Sequence, residues 1–316
     1  MTRHKLSTTV ALLVAAMAGE GWAQTAPQGS ETPQATFKSS VDLVRVSAVV
    51  RDRRGRFVRD LSARDLEVIE AGQVRPITDF AVDSAGTSVA LLFDVSGSME
   101  GGLVHGREAA RQLLSRLESW RDEAAVFAFD TALVEVAGFT NELERLVEHF
   151  GVVAPFGATS LYDAVARTAE RLEARARRSA VVIFTDGNDN ASRMNPSDVA
   201  AVASAIDVPV YVFGIVSAID NPTASIAVSP GRSSFVGGLA DLARQTGGHV
   251  FVASTPLDRA AAARQIADEL RHQYLIAFES SGKPGWRPLV VRARSKDLTV
   301  RARNGYIAGQ SRPVSQ

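Results

Sequence analysis

The 316-residue chain contains no cysteine. That excludes disulfides, thiolate metal sites, a cysteine nucleophile and a lipid-modified cysteine anchor. Histidine is scarce: His4, His105, His149, His249 and His272 are the whole set, and none share the H-x-x-x-H spacing of a histidine metal centre. An excess of either charge is also missing. Lys+Arg and Asp+Glu stand at 35 each, so no overall field draws the chain to nucleic acid or to an anionic membrane. The apolar stretch Leu6–Ala18 is too short to span a bilayer comfortably. What is plentiful is core material. Hydrophobic residues make up 46% of the chain, enough for one domain of ordinary size and a smaller one beside it.

The stretch Ser88–Met99 organises the rest. Val89–Phe93 is an unbroken apolar run, the pattern of a strand buried on both faces, and it stops at Asp94. Asp94, Ser96 and Ser98 follow at alternate positions, so in an extended segment their side chains leave the backbone on one side, and Gly97 lets the chain turn. A carboxylate with two hydroxyls is a ligand set that suits a hard cation such as Mg2+. Taken alone, the same residues also describe a strand end followed by a helix-capping turn.

Two further segments share this character. P-F-G-A-T-S-L-Y-D-A at 155–164 offers Thr159, and V-I-F-T-D-G-N-D-N at 182–190 offers Asp186 directly after a buried-strand signal. D-V-S-G-S resembles the D-x-S-x-S metal-ion-dependent adhesion site of von Willebrand factor type A domains. The other two segments resemble that family's Thr loop and T-D-G loop, in family order. The resemblance extends over residues 38–308 and includes the small β module and closing Gly305-Tyr306 of bacterial secreted relatives of this type. It implies a non-enzymatic, adhesion-type binding module. Asp94, Ser96 and Ser98 would hold Mg2+, or Mn2+ or Ca2+, with Asp94 acting through water in some states. Thr159 would coordinate directly or through water, and Asp186 would supply the second carboxylate. An open position is then left for an Asp or Glu carboxylate of a protein partner. Asp130, Asn188, Asp189 and Asn190 read as turn residues.

Two rival readings come from other classes. One is a structural scaffold of the same fold without a working metal site. The other, a phosphotransferase or hydrolase with Asp94 as nucleophile, lacks the second acid two residues on, where Ser96 stands.

Along the chain, residues 1–23 read as a secretory signal, with Arg3 and Lys5 before the apolar stretch and Gly21-Trp22-Ala23 at its end, so an exported, periplasmic or extracellular protein is expected. Residues 24–36 form a polar, flexible leader. Residues 37–83 carry strand patterns: a hairpin around Asp52-Arg53-Arg54-Gly55, then a second pair joined at Ala71-Gly72. From 87 to 279, apolar strand runs alternate with amphipathic helices, which implies an α/β fold: a doubly wound, mostly parallel, Rossmann-like sheet with ligands beyond the carboxyl ends of its strands. Within it, Asn141 can cap a helix running to Phe150, Ala180–Thr185 is a further buried-strand run, Pro196 and Pro256 stand at helix starts, and 217–234 reads as a long exposed loop. Strands at 280–308 are expected to pack with the N-terminal segment into an accessory β module, with 309–316 as a tail. The arginines at the first hairpin (Arg51, Arg53, Arg54, Arg56) and the alternating Arg292, Arg294, Arg301 and Arg303 are expected on wet faces.

Overall fold

The computed structural model describes residues 43–82, 86–151, 156–173, 175, 177–216 and 237–309. The expected signal and leader, the whole 217–234 loop and the tail past Gly309 lie outside the described residues. The strands and helices run β1 Leu43–Asp52, β2 Leu66–Glu70, β3 Gln73–Arg75, β4 Ile77–Val82, β5 Thr87–Asp94, α1 Leu103–Leu114, β6 Glu123–Phe129, β7 Leu133–Thr140, α2 Leu143–Leu146, α3 Leu161–Glu173 and β8 Arg178–Thr185. There follow α4 Pro196–Ala205, β9 Val210–Ile215, α5 Gly238–Gln245, β10 Val250–Ala253, α6 Pro256–Arg271, β11 Gln273–Glu279, β12 Gly285–Ala293, β13 Leu298–Ala302 and β14 Gly305–Ala308.

Six strands form the central sheet in the order β10-β9-β8-β5-β6-β7, parallel except for the antiparallel edge strand β7. The apolar runs explain why. β5 is buried at every position, so its side chains feed cores on both faces. Val89, Leu91 and Phe93 pack with Ala110 and Leu113 of α1 and Ala263 and Ile266 of α6. Ala90 and Leu92 face the other way, onto Leu161 and Val165 of α3, Val199 of α4 and Leu242 of α5. Fully burying a Val, Leu or Phe side chain contributes about 1.5–3 kcal/mol, so β5 is held from both faces.

The remaining strands form two antiparallel sheets, β13-β1-β11-β4 and β14-β12-β2-β3, over one shared core of Val46, Val68, Ile276, Phe278 and Leu289. Early and late strands interleave. β1 lies between β11 and β13, and β2 pairs with β12 (Val68 opposite Val291), so the accessory module is built from both ends of the chain.

Three local expectations are corrected. The turn at 52–55 forms, but only the bridge Arg51 to Phe57 follows it, because β1 takes β11 and β13 as partners instead of making a hairpin. The helix expected to run from Asn141 to Phe150 is a short α2 and a 3-10 segment, Val147–Gly151. And Arg51, Arg301 and Arg303 do not lie on wet faces. Arg51 Nη2 meets Oε1 of the fully buried Glu269 at 2.8 Å, and Arg301 holds the same carboxylate. Arg303 is buried, donates to the carbonyls of Ser204 and Arg45, and pairs with Asp207 at 3.4 Å. Period-two alternation identifies one sheet face, but whether water or another layer covers that face depends on tertiary packing.

These ion pairs fix the position of the functional edge. Arg178, first in β8, donates to Gln273 Oε1 at 2.7 Å and to Thr87 Oγ1, first in β5, at 2.8 Å. The accessory module therefore grips the amino ends of the parallel strands. Their carboxyl ends lie at the opposite edge of the sheet.

Candidate metal centre

β5 and β8 are adjacent and parallel, with Phe93 opposite Phe184, so Asp94 and Asp186 emerge side by side at the carboxyl edge of the sheet. Phe93 and Phe184 stack with ring centroids 4.9 Å apart and form the apolar floor beneath the acids. Asp94 is fully buried. Its Oδ1 accepts the Ser96 backbone N–H at 3.0 Å, and its Oδ2 accepts the Thr185 hydroxyl at 2.6 Å. Burial pushes the Asp94 carboxyl above the ordinary range; hydrogen bonds from Ser96 and Thr185 oppose this, and the neighbouring Asp186 charge adds to it.

Ser96 and Ser98 bracket the turn after β5. Their hydroxyl oxygens lie 3.2 Å apart, Ser96 buried and Ser98 exposed on the short 3-10 turn Gly97–Met99. The Thr159 segment docks here through two backbone bonds, from Gly97 N–H to the Gly157 carbonyl at 3.2 Å and from Phe156 N–H to the Val95 carbonyl at 2.8 Å. Gly157 has φ +83°, a conformation that favours glycine. On its other side, Thr159 N–H donates to Asn190 Oδ1 at 2.8 Å, and the N–H groups of Asn190 and Ala191 each donate to the Thr159 carbonyl at 3.0 Å. Thr159 is buried and Asp186 half-buried. Three segments far apart in sequence are thus stitched into one rim, and all five candidate residues lie on it.

The sequence reading missed several residues that build this rim. Thr185 is the bridge between the strands, and its hydroxyl also accepts the Gly187 N–H at 3.0 Å; a hydroxyl directly before the acid, at the end of an apolar run, was the available signal. Asn190 and Asp189 do more than turn the chain. Asp189 Oδ1 accepts from the Leu161 N–H at 2.9 Å and the Ser192 hydroxyl at 2.7 Å, which fixes the start of α3 to the loop after β8. Asp130 is a turn residue as read, with Oδ1 accepting the Ala132 N–H at 2.9 Å.

The donor set suits a hard divalent ion. All five side chains offer oxygen, two of them carboxylates, and among the described residues no Lys, Arg or His pairs with the buried Asp94. A buried carboxylate beside a second acid calls for positive charge, which no described residue supplies to Asp94.

Residues 80–207 match a family model described as VWA domain containing CoxE-like protein. Among solved structures, BatB from Bacteroides thetaiotaomicron is similar at 16% identity, with 58% of this chain and 97% of that one covered and a TM-score of 0.48. A von Willebrand factor type A protein from Catenulispora acidiphila is similar at 14% identity, with coverage of 87% and 76% and a TM-score of 0.47. No curated protein matches. The family match spans both aspartates and Thr159, on the sheet and rim just described: over residues 80–207 the chain matches the von Willebrand factor type A domain family.

Proposed function

We propose that this protein is an exported, metal-dependent binding module that captures an Asp or Glu carboxylate of a protein partner. Domains of this family are protein-interaction modules, and the rim supplies a chemical reason for metal dependence here. The observation that carries the reading is Asp94: fully buried, without a basic partner among the described residues, and facing the charge of Asp186. Asp94, Ser96, Ser98, Thr159 and Asp186 would hold Mg2+, or Mn2+ or Ca2+. Bound there, the ion supplies a Lewis-acidic position for a carboxylate oxygen. Thr185 and Ser96 fix the orientation of Asp94, and Asn190 fixes Thr159. The surroundings suit a macromolecular partner. Phe156, in the Thr segment and bonded through its N–H to the Val95 carbonyl, is 79% exposed beside the rim, the kind of apolar surface an interface buries.

Export rests on the N-terminal pattern of residues 1–23. Among the described residues no helix is long and apolar enough to cross a membrane. The test of the function is retention by the immobilised full chain, from an extracellular or periplasmic extract, with Mg2+ or with EDTA. A partner held in Mg2+, released by EDTA and lost in Thr159→Ala supports the reading. Retention indifferent to EDTA contradicts it.

A further inference from the structure

Arg259 is a buried cation without a hydrogen-bond or ion-pair partner among the described residues. It lies in the first turn of α6, directly beyond the carboxyl end of β10, and is only 5% exposed. Its guanidinium makes no hydrogen bond or ion pair with any described residue, and Nε is wholly shielded from solvent. The nearest acid in its own helix is committed elsewhere: Asp258 Oδ2 accepts from the Thr255 N–H at 3.0 Å and the Thr255 hydroxyl at 2.8 Å, closing the helix cap. Glu108, on the facing helix α1, is held by Gln112 and Arg111. A guanidinium cannot escape by losing its proton, so its burial calls for an anion.

The opposite wall adds a second cation-forming group. His105, exposed in the first turn of α1, has its pKa lowered first by burial and then by the Arg259 charge. α1 runs alongside α6, whose last residue Arg271 donates to the Arg116 carbonyl just past the end of α1, so the first turns of the two helices are neighbours. α1 and α6 pack together over the sheet below this point, through Ala110 and Ala263. Val104 and Leu257, 59% and 81% exposed, lie in the same first turns of α1 and α6.

We propose that Arg259 and His105 form an oxyanion-binding site between the first turns of α1 and α6, on the same edge of the sheet as the cation rim but separate from it. Its ligand is a carboxylate or phosphate-type oxyanion, met by the Arg259 fork and by one imidazole nitrogen of His105. The source is either a side chain of the bound partner or a free inorganic anion, and the experiment separates the two.

The test uses the full chain in EDTA, so that it stands apart from the cation rim, with ionic strength held constant by NaCl. Sodium phosphate and sodium acetate are titrated separately while the thermal midpoint and the His105 ring signals in NMR are followed. The midpoint should rise by roughly 3–5 °C at tenfold above the dissociation constant, with saturable movement of His105. Arg259→Met removes both responses. Arg259→Lys, which keeps the charge but loses the fork, weakens them about tenfold and keeps the test valid if the Met variant does not fold. A response to acetate as well as phosphate assigns the site to a partner carboxylate; phosphate alone assigns it to a free anion. No response to either, or an undiminished response in both Arg259 variants, overturns the site.

Discussion

Thr185 donates its hydroxyl to Oδ2 of Asp94 at 2.6 Å, joining the ends of two neighbouring parallel strands through one buried hydrogen bond. The hydroxyl oxygen of Thr185 also accepts from Gly187 N–H, so Thr185 orients the first carboxylate and shapes the loop that carries the second. Thr185→Val keeps the β-branched shape and removes both bonds. Metal affinity should fall 10–100-fold, by roughly the measure of a lost outer-sphere partner, while the fold persists. Calorimetry alongside circular dichroism checks this; affinity equal to wild type would show that Asp94 needs no such support.

Glu269 is the ionic centre of the seam between the parallel sheet and the accessory module, buried and shared by Arg51 and Arg301. Glu269→Ala leaves two arginines at the seam without their counter-charge. A loss of about 3–5 kcal/mol in urea unfolding is expected, and a loss below about 1 kcal/mol would mean that solvent compensates the arginines.

The interleaving of β1 and β2 with β13 and β12 makes the two chain ends depend on each other. Deleting residues 285–316 should open residues 43–82 to limited proteolysis. Unchanged protection of that segment would contradict the dependence.

Glu70 sets an acid limit on stability. Burial disfavours its charge, but hydrogen bonds from Tyr306, Ser280, Arg75 and the Ser281 N–H outweigh burial and hold the carboxyl below its ordinary value. A carboxyl whose pKa is lower folded than unfolded stabilises the protein above the unfolded value, near pH ~4.3, and loses that contribution as pH falls through the folded value. Glu70→Gln should therefore cost about 1–3 kcal/mol at neutral pH and flatten the decline in stability between about pH 5 and 3. Parallel pH profiles for the variant and wild type would contradict this assignment.

Much of the fold is legible in the sequence because the parallel strands are buried on both faces. Val89–Phe93 and Ala180–Thr185 are read as uninterrupted apolar runs and appear within β5 and β8, while Pro196 and Pro256 mark the helix starts they occupy. The candidate residues are equally readable, since each follows such a run or sits in a recognisable loop. What is not legible is which surface covers which. Arg301 and Arg303 carry the alternation of a wet face and still pack against the parallel domain, because Glu269 and Asp207 lie across the seam. The partners of β1 are hidden for the same reason: Val46 finds Ile276 more than two hundred positions along the chain, a distance no local pattern encodes. Arg259 hides differently, as a charged residue one turn before the buried apolar Ala262 and Ala263, and two before the buried Ile266, of the same helix.

The central claim is that Asp94 and Asp186 together neutralise a divalent cation while Ser96, Ser98 and Thr159 complete its oxygen shell. Calorimetric titration of the full chain with Mg2+ and Mn2+ tests it most directly, comparing wild type with Asp94→Ala, Asp186→Ala and Thr159→Ala. Wild type should take up one ion per chain, either Asp variant should lose binding while remaining folded, and Thr159→Ala should bind the ion nearly as well as wild type because water can replace a neutral hydroxyl. A wild-type chain that takes up neither ion, or an Asp186→Ala variant that binds like wild type, would contradict the claim.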